Sequence, residues 1–174
     1  IMIKIQQALW GYSDGHHLLE TSTPLSNQTK KILGSLTDLS GNESPPSFDG
    51  YLTGYPLKEE KCYALSKTWY ATEMSRPGCV WTHTLFINSD IVNNVTAAEI
   101  DTLFRRPTPN ISDLGEYSLP ILLEKCNNGV PAINTSINRT ELELFSIIVQ
   151  NPSTPIIIAS SSSTPFNQAL ESLI

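Results

Sequence analysis

The stretch Cys62–Ile87, CYALSKTWYATEMSRPGCVWTHTLFI, constrains this chain more than any other. It reads as two strands and a turn. Cys62–Tyr70 is rich in aromatic and small residues, as strands are. Tyr63, Leu65, Lys67 and Trp69 share one face, because strand side chains alternate. Cys79–Ile87 is apolar on both faces: Cys79, Trp81, His83, Leu85 and Ile87 point one way, and Val80, Thr82, Thr84 and Phe86 the other. A strand with two apolar faces is central and covered on both sides. Between the strands, Pro77-Gly78 has the chemistry of a type II turn, with Arg76 first and Cys79 last. Proline presets φ at the second position and glycine accepts positive φ at the third.

A second hairpin opens the chain. Ile3, Ile5, Gln7 and Leu9 alternate with Lys4, Gln6, Ala8 and Trp10 in a strand from Ile1 to Tyr12. Ser13-Asp14-Gly15 follows, and the return strand is His16–Ser22. Asp-Gly as the central pair of a type I′ turn sets Tyr12 opposite His17, Trp10 opposite Leu19 and Ser13 opposite His16. The adjacent histidines then point apart. Ser26 or Asn27 caps a helix running to about Leu39, with Ile32, Leu33, Leu36 and Leu39 as its apolar stripe. Tyr51–Leu57 reads as an edge strand or extended loop. Thr96-Ala97-Ala98-Glu99 is a capping box. It starts a helix that buries Ile100, Leu103 and Phe104 and stops at Pro107. Asn110–Leu119 reads as polar loop, Pro120–Lys125 as a short strand or helical turn, and Pro155–Ala159 as a buried strand. Helices are expected over Thr140–Gln150 and from Thr164-Pro165 onward. The expected fold is α+β: a mostly antiparallel sheet from the two β-hairpins, with helices packed against it. A length of 174 residues suits one domain, 1–174.

Composition narrows the function classes. Eleven Lys and Arg against seventeen Asp and Glu give a net charge of −6, which argues against general nucleic-acid binding. No apolar run approaches the ~18–20 residues of a membrane span, and the N-terminus lacks a signal-peptide core. The three cysteines form no metal pattern. Cys62 and Cys79 sit at opposite ends of the central hairpin, on the order of 25 Å apart at the usual strand rise, too far for a disulfide. These features point to a reducing, cytoplasmic setting. No cofactor is implied.

The polar residues that could carry chemistry are few. Cys79 and His83 lie four apart on one strand, roughly 13 Å at the strand rise, so they cannot form a nucleophile–base pair. His83, beside Trp81 and Leu85, reads as a core histidine held by hydrogen bonds. His16 and His17 diverge, so one metal ion cannot take both, and a zinc site needs three or four converging ligands. His16 beside Ser13 and Asp14 reads as a turn lock. Arg105-Arg106 reads as a charge pair at a helix C-terminus. Ser160–Ser163 lacks the glycines and lysine of a phosphate loop. Tyr51, Tyr55 and Tyr70 have amphipathic rings in loop-rich places and, with Arg76, form the candidate interaction surface.

Several strings in order carry a family resemblance: Gln7–Leu19 (QALWGYSDGHHLL), Tyr51–Leu57 (YLTGYPL), Thr68–Ala71 (TWYA), Arg76–Leu85 (RPGCVWTHTL) and Phe104–Pro107 (FRRP). Together they resemble the N-terminal domain of bacterial GTPase-associated proteins, over residues 5–107. The resemblance implies a module at the front of a longer multidomain protein, encoded beside GTPase-like partners in conflict or anti-phage systems. It implies no catalytic residue. Gly11, Tyr12, Asp14, Gly15, His16, Trp69, Pro77, Gly78, Trp81 and His83 are then architectural or interaction positions. The resulting expectation is a non-enzymatic recognition or adaptor domain that binds protein partners, including a neighbouring GTPase-like protein. Two alternatives stay open: a hydrolase-type domain using His16, His83 and Asp14, and a structural oligomerisation module.

Overall fold

Each strand of the sheet is antiparallel to its neighbours. A computed structural model of the chain describes residues 1–39, 50–107, 111–125 and 156–158. The elements run β1 (Met2–Tyr12), β2 (His16–Thr21), α1 (Asn27–Leu36), β3 (Gly50–Leu57), β4 (Cys62–Tyr70), β5 (Val80–Ile87), α2 (Ser89–Val92), α3 (Ala97–Leu103), a 3₁₀ segment (Ile111–Ser118), β6 (Ile121–Glu124) and β7 (Ile156–Ile158). The strand order is β2-β1-β5-β4-β3-β7, with β6 also paired to β1. The fold is α+β and mostly sheet, as expected. The helices expected over Thr140–Gln150 and after Thr164, and the serine run, lie outside the described residues.

β5 is central, between β1 and β4, and every one of its residues is buried. Its two faces have different chemistry. On one face Ile3, Ile5, Leu65, Leu85 and Ile87 pack under Ile91, Val95, Ala97 and Ile100 of the α2–α3 region. On the other, Ala8, Trp10, Ala64 and Phe86 pack with Leu25, Leu33, Tyr55 and Leu57. That second face also carries buried hydroxyls. Ser66 and Thr84 share a hydrogen bond at 2.7 Å, and Thr68 and Thr82 at 2.8 Å. Thr82 then donates to the Thr37 carbonyl at 2.7 Å. Cross-strand hydroxyl pairs satisfy groups that would otherwise be costly to bury. They also pin the C-terminal end of α1 to the sheet.

The first hairpin is one residue out from the expected register. Tyr12 pairs with His16, Gly11 with His17 and Trp10 with Leu18. The loop therefore spans Ser13–Gly15, with Asp14 at φ 55° and Gly15 at φ 112°. The Ser13 amide finds its acceptor inside the loop, the Gly15 carbonyl at 2.8 Å, so Ser13 leaves the ladder. A bulge then resets the pairing, with Leu9 opposite Glu20. Leu19 is the extra residue of the bulge, and it packs against the cluster of Ala71, Cys79 and Trp81.

Other expectations need correction. α1 ends at Leu36, where the Thr37 amide bonds the Leu33 carbonyl. Its buried line runs through Thr29, Leu33 and Thr37, while Ile32 is exposed. Thr29 is inside because Ser26 and Glu60 bond its hydroxyl. β3 is not an edge strand along its length, since β7 pairs with Leu52–Gly54. Pro56 lies outside the described β7 pairing. The expected polar loop at Asn110–Leu119 contains the 3₁₀ segment, anchored by buried Leu114 and Tyr117. The Thr96–Glu99 capping box forms as expected. α3 ends at Leu103, so Arg105 and Arg106 lie beyond the helix rather than in its last turn. They diverge: Arg105 pairs with Glu116, and Arg106 with Glu73.

Candidate functional site

Chain segments far apart in sequence meet at one end of the sheet. The end of β1 brings Tyr12, the loop Gly15, the start of β2 His16, the end of α1 Asp38, and the β4–β5 connection Arg76–Cys79. With Val80 they line a half-open pocket of about 270 Å3. Local structure explains each placement. Gly78 sits at φ +81°, the conformation expected of the third position in a type II turn. Ahead of the turn, the Ala71 amide closes on the Cys79 carbonyl at 2.9 Å. Gly11 lets the wall close: a Cβ there would stand 2.7 Å from the Trp81 ring and 2.8 Å from Leu19. Trp81 is fixed from its other end by its indole N–H, which donates to Glu73 at 2.7 Å. Partial burial pushes the Glu73 carboxyl up, but the bonds from Arg106 and Trp81 outweigh it and hold the group below the usual carboxylate range.

The pocket's polar groups are mixed in charge. Arg76 lies with its guanidinium carbon 5.5 Å from the Tyr12 ring centre and donates to the Tyr12 hydroxyl at 3.4 Å. This is a cation–π contact at the rim. His16 stacks on Trp10, ring centres 6.3 Å apart, and its Nε2 bonds Thr37 Oγ1 at 2.8 Å. Its Nδ1 faces Asp38 Oδ1 at 3.8 Å. Burial lowers the His16 pKa, while Asp38 works in the opposite direction. His17 points away, exposed, with Nε2 3.3 Å from the Asp14 carbonyl. The adjacent histidines thus diverge, but the lock on His16 is Thr37, not Ser13 or Asp14.

His83 belongs to a different site. It is buried, and the Arg105 amide donates to its Nδ1 at 3.0 Å. The ring hydrogen therefore sits on Nε2, which donates to Gln7 Oε1 at 2.7 Å. The Gln7 amide nitrogen in turn donates to the carbonyls of Leu119 (2.6 Å) and Glu116 (3.0 Å). Tyr117 closes the set by donating to the Arg105 carbonyl at 2.9 Å. Burial first, and the Arg105 charge second, push the His83 pKa down to about 3. The ring is a neutral clamp between β1, β5 and the segment after α3.

The structure does not bring His16, His83 and Asp14 together. His16 is tied through Thr37 to the face that carries Thr82. His83, the next residue on β5, points to the opposite face, and Asp14 is exposed in the loop. Among the described residues, no three of His, Cys, Asp and Glu converge as metal ligands, and no helix is long and apolar enough to cross a membrane. Of the tyrosines, Tyr55 is interior at 3% exposure, its hydroxyl donating to the Leu36 carbonyl at 2.9 Å. Tyr51 and Tyr70 remain half-buried, in an edge-on pair 6.5 Å apart. Trp69 is half-buried under Lys67 Nζ at 5.6 Å. Asp38, which lines the pocket, and Thr37, buried behind it against His16, carry no sequence signal: they follow a helix whose end is set by tertiary contacts.

Comparison with curated proteins and with solved structures returned no match. A family model, GTPase-associated protein 1, N-terminal domain type 1, matches residues 4–104. That span includes all of the pocket's lining residues. The chain belongs to this family of GTPase-associated protein N-terminal domains.

Proposed function

We propose that the chain is a recognition domain of a bacterial defence protein, acting in the cytoplasm and docking a GTPase-like partner at the Tyr12–His16–Arg76 end of the sheet. One observation carries this reading. Tyr12 and Arg76, 64 positions apart in the chain, come from two separate family-like strings and build one accessible polar pocket. The remaining polar motif residue of interest, His83, is spent on internal hydrogen bonds. Tyr51 and Tyr70 add half-buried aromatic surface of the kind enriched at interfaces. The charge contrast between Arg76 and Asp38 suits a partner with complementary polar groups, which gives specificity more than raw affinity.

The test is capture of the neighbouring GTPase-like protein on immobilised domain, with GTP analogue, GDP or no nucleotide, read by mass spectrometry. The expected result is capture that differs between nucleotide states. No capture in any state would remove the GTPase as the partner.

A further inference from the structure

Two hydrogen-bond acceptors confront each other inside the pocket. Thr37 Oγ1 gives its hydrogen to the Leu33 carbonyl at 2.6 Å, so it must accept from His16 Nε2 at 2.8 Å. His16 therefore carries its ring hydrogen on Nε2, and Nδ1 presents a lone pair. That lone pair lies 3.8 Å from Asp38 Oδ1. A carboxylate facing a ring lone pair is repulsive unless a hydrogen stands between them. A proton on Nδ1 would fill the gap, but burial of the ring, whose side chain is only 9% exposed, works against the imidazolium. A donor arriving from the half-exposed Asp38 side leaves the buried ring neutral and keeps part of its own hydration.

We propose that the pocket binds a cationic N–H donor, a guanidinium or primary ammonium, that bridges His16 Nδ1 and the Asp38 carboxylate. Asp38 is half exposed, so it meets the incoming group without first being uncovered. The volume of about 270 Å3 admits a guanidinium head and a short alkyl stem. Arg76 stands at the exposed rim over Tyr12. There solvent and salt screen its charge, and it is placed to take a carboxylate carried next to the cation. The same chemistry comes from two sources, a free arginine-like molecule or a basic side chain of a partner protein. The inference shares its pocket with the recognition reading but does not need the GTPase, so free probes let the two fail separately.

The experiment is NMR of the chain with 15N-labelled histidine, titrated with agmatine, with free arginine and with a blocked peptide containing one arginine. A saturable shift of the His16 ring nitrogens is expected with a dissociation constant of about 1–10 mM, the range of a single small charged head. Asp38→Asn should weaken it about tenfold, the equivalent of about 1.4 kcal/mol, and Glu124→Gln, exposed on β6 beside the Met2 end of β1, should leave it unchanged. Binding of the peptide as well as agmatine assigns the donor to a protein side chain. Binding of free arginine without the peptide assigns a small zwitterion. The proposal is overturned by no saturable shift in the unsubstituted chain, by binding that Asp38→Asn does not weaken, or by an equal response to acetate or phosphate. Should Asp38→Asn not fold, the titration of the unsubstituted chain decides alone.

Discussion

Replacing Trp81 with alanine is expected to lower the stability of the fold by about 3–5 kcal/mol, the range for deleting a buried indole. Trp81 is 1% exposed. It packs with Ala71 and Cys79 and against Tyr12, Leu19, Trp69 and Met74, so several segments lose a shared wall at once. Gly11 gives the space no side chain with which to collapse into it. The indole N–H is also lost from Glu73, although Glu73 keeps Arg106. For a chain of this length about 2–4 °C of melting temperature is expected per kcal/mol, so thermal unfolding followed by circular dichroism should show a fall of about 10 °C. Trp81→Phe keeps most of the ring volume and removes the donor, and should cost about 1–2 kcal/mol. A Trp81→Ala loss under about 1 kcal/mol would mean that the β4–β5 connection is not held by this residue.

Replacing His83 with leucine should cost about 3 kcal/mol, for a different reason. The volume is roughly kept, but the Arg105 amide and Gln7 Oε1 both lose their partner. A buried polar group left without a partner costs about 1–3 kcal/mol. The pH dependence separates this from a packing effect. The unfolded histidine titrates near 6.5, whereas in the fold it is pushed down to about 3 by burial and then by Arg105. Between those values the unfolded chain holds a proton that the folded chain refuses, so acid favours unfolding. The contribution is fully present above 6.5 and is lost as pH falls toward 3, at up to about 1.4 kcal/mol per unit. Urea unfolding from about pH 7 to about pH 5 should therefore show a falling stability in the unsubstituted chain and a flatter profile in His83→Leu. Equal slopes would mean that the ring takes up its proton as readily in the fold as in the unfolded chain.

The two strands of the central hairpin were legible because β5 is apolar at alternate positions on both faces, a pattern that only a covered central strand satisfies. The capping box was legible because it is a local exchange of hydrogen bonds between Thr96 and Glu99. What the sequence hid depends on contacts between distant segments. The first hairpin's register turned on whether the Ser13 amide bonds within the loop or across it, and Asp-Gly permits both. The end of α1 depends on Thr82 reaching the Thr37 carbonyl. Tyr55 looked like surface beside Gly54 and Pro56, but its pairing with Ala64 aims it inward. The pocket itself was half visible. Tyr12, Gly15, His16, Arg76, Pro77 and Gly78 stood out as motif residues, while Asp38, which supplies the opposing charge, did not.

The most direct test of the account is the affinity of the captured partner for two substituted forms of the domain. Arg76→Ala removes the cation at the rim of the pocket. Leu122→Glu alters a competing exposed apolar position on β6, 56% exposed and paired near the start of β1 rather than at its Tyr12 end. Both sites are accessible, so both variants should fold. If the motif-built pocket is the docking surface, Arg76→Ala weakens binding about tenfold or more and Leu122→Glu leaves it unchanged. Loss of binding in Leu122→Glu with Arg76→Ala intact would contradict the account and move the docking surface to the opposite end of the sheet.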